Sequence, residues 1–207
     1  MRDYAAIPWN LVRTVAPAVR VVGIDELKHY LRVTWDEEND SIEDIALAAE
    51  EEVEKELSRA LTAQTWVLRL DAFPCWEILL PRPAPKDGPY LTSVTQLQYV
   101  DADGNTIVLS GSVYVVDTAS DPARIHLAPN QVWPATRTVP NAVIITYVAG
   151  KVTGEEVPEL IRMAIKQAAA DMYTHREPTL TGTIVNNLPI YERLMTSHRC
   201  LHEFRYE

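Results

Sequence analysis

The chain changes its hydrophobic period twice. Residues Ile24 to Leu57 and Pro158 to Tyr173 repeat their apolar positions every three to four residues, as amphipathic helices do. Between them, Thr65 to Val148 carries short β-branched and aromatic runs broken by Pro and Gly, the pattern of strands and turns. The closing helix has to bury its apolar face. The acidic helix near the other end of the sequence is the natural partner, which makes the β-region an insertion in a small helical body. The expected class is therefore α+β: a helical bundle of N- and C-terminal helices with an inserted antiparallel β-rich region. The division is an irregular N-terminal arm (1–22), a helical body (23–61 and 157–207) and a β-rich insert (62–156).

At 207 residues the chain can bury a core without disulfides or metal. Fourteen prolines against seven glycines favour stiff connections. The net charge of −10, from 29 acidic and 19 basic residues, gives no counterion-release drive for non-specific DNA binding. The longest unbroken charge run, Glu50-Glu51-Glu52, reads as a solvated helix face. Two distant cysteines, Cys75 and Cys200, are too few for a disulfide framework, so a reducing compartment is the default. The opening residues MRDYAAIPWN lack the apolar stretch of a secretory signal. No apolar run reaches the roughly 20 residues that span a bilayer. A soluble protein made in the cytosol is expected.

Along the chain, Met1 to Val22 has no helical period. Gly23 offers an N-cap to a short helix, Ile24 to Leu31, with Glu26 in its first turn. Asp40 and Glu43 have the spacing of a capping box for a second helix. Its stripe is Ile42, Ile45, Ala49, Val53 and Leu57, with Glu43, Asp44, Glu50, Glu51, Glu54 and Lys55 on the rest. Strands are expected at Thr65–Leu70, Ile78–Leu80, Val94–Val100, Thr106–Leu109, Val113–Val116, Arg124–Leu127 and Ala142–Val148. Pro158 suits the first position of the last main helix, which Pro178 ends. A polar loop, Thr179 to Leu188, and a weaker helix, Ile190 to Phe204, follow.

Candidate chemistry is sparse. Asp101-Ala102-Asp103-Gly104-Asn105 resembles part of a calcium loop, but Gly is fourth rather than sixth and position twelve is Ser112. A hairpin turn accounts for these residues. His198 and His202 would share a helix face as zinc ligands can, with Cys200 pointing elsewhere; a third ligand would have to come from His175, a carboxylate or another subunit. Two ligands do not make a site, so no metal or cofactor is assigned. No G-x-S-x-G elbow, phosphate-binding loop or G-x-G-x-x-G turn is present, and no catalytic residue is assigned. Trp66 and Trp76 lie in or beside strands, where aromatic residues pack. Trp133 and Arg137 fall in a stiff loop, Trp133-Pro134-Ala135-Thr136-Arg137, a composition enriched at interface hot spots.

The ordered set of segments resembles the head–tail connector (head-completion adaptor) proteins of long-tailed bacteriophages and prophages. It runs from Ile24-Asp25-Glu26-Leu27-Lys28-His29-Tyr30-Leu31-Arg32-Val33, through the acidic Asp36 to Asp40, to Ala60-Leu61-Thr62-Ala63-Gln64-Thr65-Trp66 and Leu70-Asp71-Ala72-Phe73-Pro74. It continues with Leu80-Pro81-Arg82-Pro83-Ala84-Pro85, Tyr99-Val100-Asp101-Ala102-Asp103-Gly104 and Trp133-Pro134-Ala135-Thr136-Arg137, and ends near Val157-Pro158 to Glu177. The chain departs from the family in its long leader before Gly23 and in its His/Cys tail. The resemblance implies a non-enzymatic structural subunit without cofactor, in a ring of about a dozen copies. Such a ring docks beneath the portal protein, lets DNA pass without sequence-specific binding and receives a tail-side completion protein. The implied location is the head–tail junction of a virion, after synthesis in the bacterial cytoplasm. Candidate assembly contacts are Trp133, Arg137, Thr181, Asn186 and Asn187. The competing readings are a monomeric cytosolic binding module that uses the β-insert, and a metal-dependent enzyme built on His198 to His202.

Overall fold

The computed structural model describes residues 7–85, 91–175, 196–200, Phe204 and Tyr206. The helices are α1 (Ile24–Leu31), α2 (Asn39–Leu57) and α3 (Glu159–Thr174), with a 3-10 turn at Gly154–Glu156. The strands are β1 (Trp9–Val15), β2 (Gln64–Leu70), β3 (Glu77–Leu79), β4 (Leu91–Val100), β5 (Thr106–Val108), β6 (Tyr114–Asp117), β7 (Arg124–Leu127) and β8 (Val143–Gly150). The class is α+β, as the sequence predicts.

The terminal helices do pack together. One core joins Leu27 of α1, Ile42, Ala46, Ala49, Val53 and Leu57 of α2, and Ile161, Ala164, Ile165 and Ala169 of α3. Alanines on the facing stripes let α2 and α3 approach closely. Arg162 on α3 reaches Glu26 on α1 at 2.7 and 2.9 Å, and Lys166 reaches it at 2.6 Å. Burial pushes the Glu26 carboxyl up, but these donors outweigh it and hold the group below its ordinary value. α1 and α2 each stop at a left-handed residue, Arg32 (φ 59°) and Ser58 (φ 54°).

The helix starts differ from expectation. α2 begins at Asn39 after Glu38, and no side chain caps it. Asp40 is therefore already inside the first turn and cannot form the expected box. Pro158 precedes α3 as its N-cap residue rather than opening it. Within α2, Ala46 takes the buried place predicted for Ile45, which is only half-buried.

The β-region is two antiparallel sheets, ordered β1-β2-β8-β4-β5 and β3-β7-β6. β8 is the centre of the larger one, with Leu68 opposite Ile145 on one side and Leu97 opposite Ile145 on the other. Val143, Ile145, Tyr147 and Ala149 alternate inward along it. They meet Leu68, Leu70, Leu97 and, from the smaller sheet and its flanks, Ile78, Leu80 and Ile125. The predicted β4–β5 hairpin is present, with Tyr99 opposite Ile107. The leader, expected to be irregular, supplies β1 and pairs with β2 from Trp9↔Leu70 to Val15↔Thr65. β1 is an edge strand whose inward positions, Leu11 and Arg13, are only half-buried, so it leaves a weak alternating stripe in the sequence.

Candidate assembly surface

Helix α2 meets the leader and the β-region through two carboxylates. The acidic run was expected to face solvent, yet Glu50 and Glu54 are only 5% and 8% exposed. Glu50 accepts the backbone N–H groups of Val21 and Val22 at 2.9 and 3.1 Å, and so fixes the chain just before α1. Glu54 accepts Leu61 N–H at 2.8 Å and the Gln64 amide at 2.7 Å. Arg13 of β1 reaches Glu51 at 2.9 Å and Glu54 at 3.6 Å. Burial raises the pKa of both Glu50 and Glu54, against the pull of these donors. A cavity of about 450 Å³ opens between this clasp and α2, lined by Arg13, Arg20, Glu43, Leu47 and Glu50. Perturbed carboxylates mark many active sites. Here each buried carboxylate is occupied by main-chain donors, so the arrangement locks the leader and the β2 entry to the helical body rather than moving protons.

Trp133 and Arg137 do share one loop. The Trp133 ring stacks on Phe73 with centroids 4.7 Å apart and planes 2° from parallel, and Phe73 tilts against Tyr99 at 5.9 Å. Trp133 is thus a packing anchor that ties the 128–137 loop to the loop after β2. Arg137 is exposed; its N–H donates to Val100 O at 3.0 Å. Its guanidinium covers Gly104, where an added Cβ would lie 2.4 Å from Nη1. Asp101 accepts Asn105 N–H at 2.8 Å, and this bond, with others from the turn, lowers its pKa. The Asp101–Asn105 segment therefore serves the hairpin. Thr181, Asn186 and Asn187 lie outside the described residues.

Among the described residues the most exposed large hydrophobic side chains are close to Phe73 and Trp133 in sequence. Trp76 is 81% exposed and Val132 78%. Trp76 was expected to pack across strands; it precedes the short β3, and the described structure gives its indole no interior place. Trp66 does pack, half-buried, with the Arg82 guanidinium 5.8 Å from its ring. Beside it an open cavity of about 480 Å³ is lined by Trp9, Leu11, Trp66, Pro81, Arg82 and Phe204. Trp9 meets Phe204 and Tyr206 edge-on, at 6.2 and 6.0 Å. The Trp66 Nε1 donor is buried without a hydrogen-bond partner among the described residues.

The tail cluster is part of this joint. His198 O accepts Arg59 Nε at 2.5 Å, and Cys200 N–H donates to Leu57 O at 2.9 Å. Arg59 also holds Asp121 of the β-region at 2.9 Å. His175 pairs with Asp171 at 3.0 Å, one turn back on α3. His202 lies outside the described residues. Among the described residues no group of three or more His, Cys, Asp or Glu is arranged to hold a metal, and no helix is long and apolar enough to cross a membrane.

No family model matches the sequence, and no curated protein matches it. Solved structures do. A chain in the neck of an empty gene transfer agent (GTA) particle, computed with C6 symmetry, superposes with a TM-score of 0.74 at 21% identity, over 94% of this chain and 97% of that one. The chain shares its fold. A chain in the virion of a native GTA particle gives 0.74 at 19% identity over the same shares. A third, from the neck of a native GTA particle computed with C12 symmetry, gives 0.61 at 20% identity over 92% of this chain and 97% of that one. The likeness takes in the helical body and both sheets together, since it leaves out only 6% of the chain in the first match.

Proposed function

We propose that this chain is a non-catalytic structural subunit of the neck of a phage-like particle, located in the virion at the head–tail junction. One observation carries the reading: the fold corresponds over nearly the full length of both chains to chains of GTA neck structures. The C6 and C12 symmetries of those structures support a cyclic homo-oligomer of about a dozen copies, a closed assembly of the usual kind. In this reading the ring docks beneath a portal protein, prolongs the DNA channel and offers the tail-side completion protein its seat.

In this reading the helices of 23–61 and 157–207 form the body and 62–156 projects as the contact module, with Trp133 holding its loops and Arg137 displayed beside them. Thr181, Asn186 and Asn187 remain proposed contacts of the loop before the tail. A net charge of −10 suits a wall along which DNA slides, because like charge disfavours adhesion. The test is deletion of the gene in its producing strain. Filled heads without tails are expected, and restored particles should carry the chain at the neck. Normal tailed particles from the deletion strain would end the proposal.

A further inference from the structure

Trp76 and the cavity at Trp66 stand at opposite ends of one strand. Trp76 immediately precedes β3, whereas Pro81 and Arg82, which line the cavity, follow that strand. The Trp76 indole is 81% exposed and is not part of the cavity's lining. A cavity near 480 Å³ is in the size range that accepts a drug-sized ligand, and its Trp, Phe, Pro and Arg lining is the chemistry that holds an aromatic ring. Its wall includes the Trp66 ring.

We infer that Trp76 of one copy inserts into the Trp9–Trp66–Arg82 cavity of the next copy. The inference rests on the ring reading above. A knob and a hole that do not meet within one chain make a heterologous contact, which closes into a ring when the rotation per subunit is right. Arg82 is held in place for this. Its Nη1 donates to Glu54 O at 2.8 Å, and its guanidinium already lies against Trp66.

The native Cys75 sits exposed beside the knob and supplies the probe. In the full chain carrying Asn10→Cys at the cavity rim and Cys200→Ser, a short bismaleimide should link position 10 to Cys75 between copies at high protein concentration, giving a ladder of multimers. Adding Trp76→Ala should lower the yield about thirtyfold, the loss typical of truncating a central tryptophan hot spot. Its melting temperature should stay unchanged. Multimers seen by sedimentation that never link these positions, or that link equally well without the indole, overturn the contact and leave the ring reading standing. A chain that remains monomeric and unlinked at every concentration also overturns it. Failure of the ring reading itself would instead show in the deletion strain.

Discussion

The Glu54 carboxylate accepts the Gln64 side-chain amide at 2.7 Å, joining the last turn of α2 to the first residue of β2. The same oxygen takes the Leu61 N–H at 2.8 Å. Glu54→Ala orphans that buried donor, at a cost of about 1–3 kcal/mol. Glu54→Gln keeps an acceptor and should lose less. Urea denaturation of the two variants checks the order; equal losses would mean the charge, not the acceptor, matters.

Glu50 sets a pH dependence. Burial raises its folded pKa above the ordinary 4.5, so the folded chain binds a proton more tightly than the unfolded one. Its contribution to stability is fully present below pH 4.5 and is lost as pH rises through the raised value. Glu54 acts in the same direction. Glu26, whose folded pKa is lowered, acts in the opposite one: its contribution is present above 4.5 and lost as pH falls. Glu50→Gln should therefore lose less stability than the parent between pH 4.5 and neutrality, measured by thermal melts across that window. Parallel profiles would remove Glu50 as the source.

Val53 has no exposed surface and sits in the α2–α3 core. Val53→Asp places a carboxyl where no partner waits and should cost more than about 3 kcal/mol. An unchanged melting temperature would take this stripe out of the core.

Gly150 closes β8 with φ at 133°, and an added Cβ would lie 2.2 Å from the Thr62 carbonyl group. The obstacle is backbone, which cannot swing aside. Gly150→Ala should cost about 2 kcal/mol or more. Gly23, with open space around its Cβ position, provides the control: Gly23→Ala should change the denaturation midpoint far less.

The two loop tryptophans should separate cleanly. Trp133→Ala removes the ring stacked on Phe73 and should cost about 2–4 kcal/mol. Trp76→Ala, at an exposed position, should stay within about 0.5 kcal/mol. Calorimetry of the pair decides it, and a large loss at Trp76 would place its indole inside the fold.

The legible parts of this chain were those whose burial leaves a period. Ile42, Ala49, Val53 and Leu57 repeat at helical spacing because one face of α2 meets α3. Arg124–Leu127 was read with its observed bounds. β1 escapes the pattern because its inward residues, Leu11 and Arg13, are only half-buried and one of them is charged. Glu50 and Glu54 were misread because their partners are main-chain N–H groups at Val21, Val22 and Leu61, which no residue type announces. Trp76 was misread for the opposite reason: an aromatic beside a strand usually packs, and this one does not. For the candidate surface, the Trp133–Arg137 loop was found from composition. The Trp66 cavity was not, since Trp9, Pro81 and Phe204 converge on it from distant parts of the sequence.

The central position of β8 governs when the subunit can exist at all. β8 bonds to β2, which ends at Leu70, and to β4, which begins at Leu91, and so joins two strands that do not pair with each other. During synthesis the first half of the chain must wait, with β2 and β4 unjoined, until Gly150 has emerged. Pairings so distant in sequence form slowly, and unpaired strand edges meanwhile invite association. A chain cut before Val143 would keep the β1–β2 pair, the β4–β5 hairpin and the β3-β7-β6 sheet without the strand that joins β2 to β4 and without α3, and such a truncated product would be a target for proteolysis instead of a competitor for places in the particle.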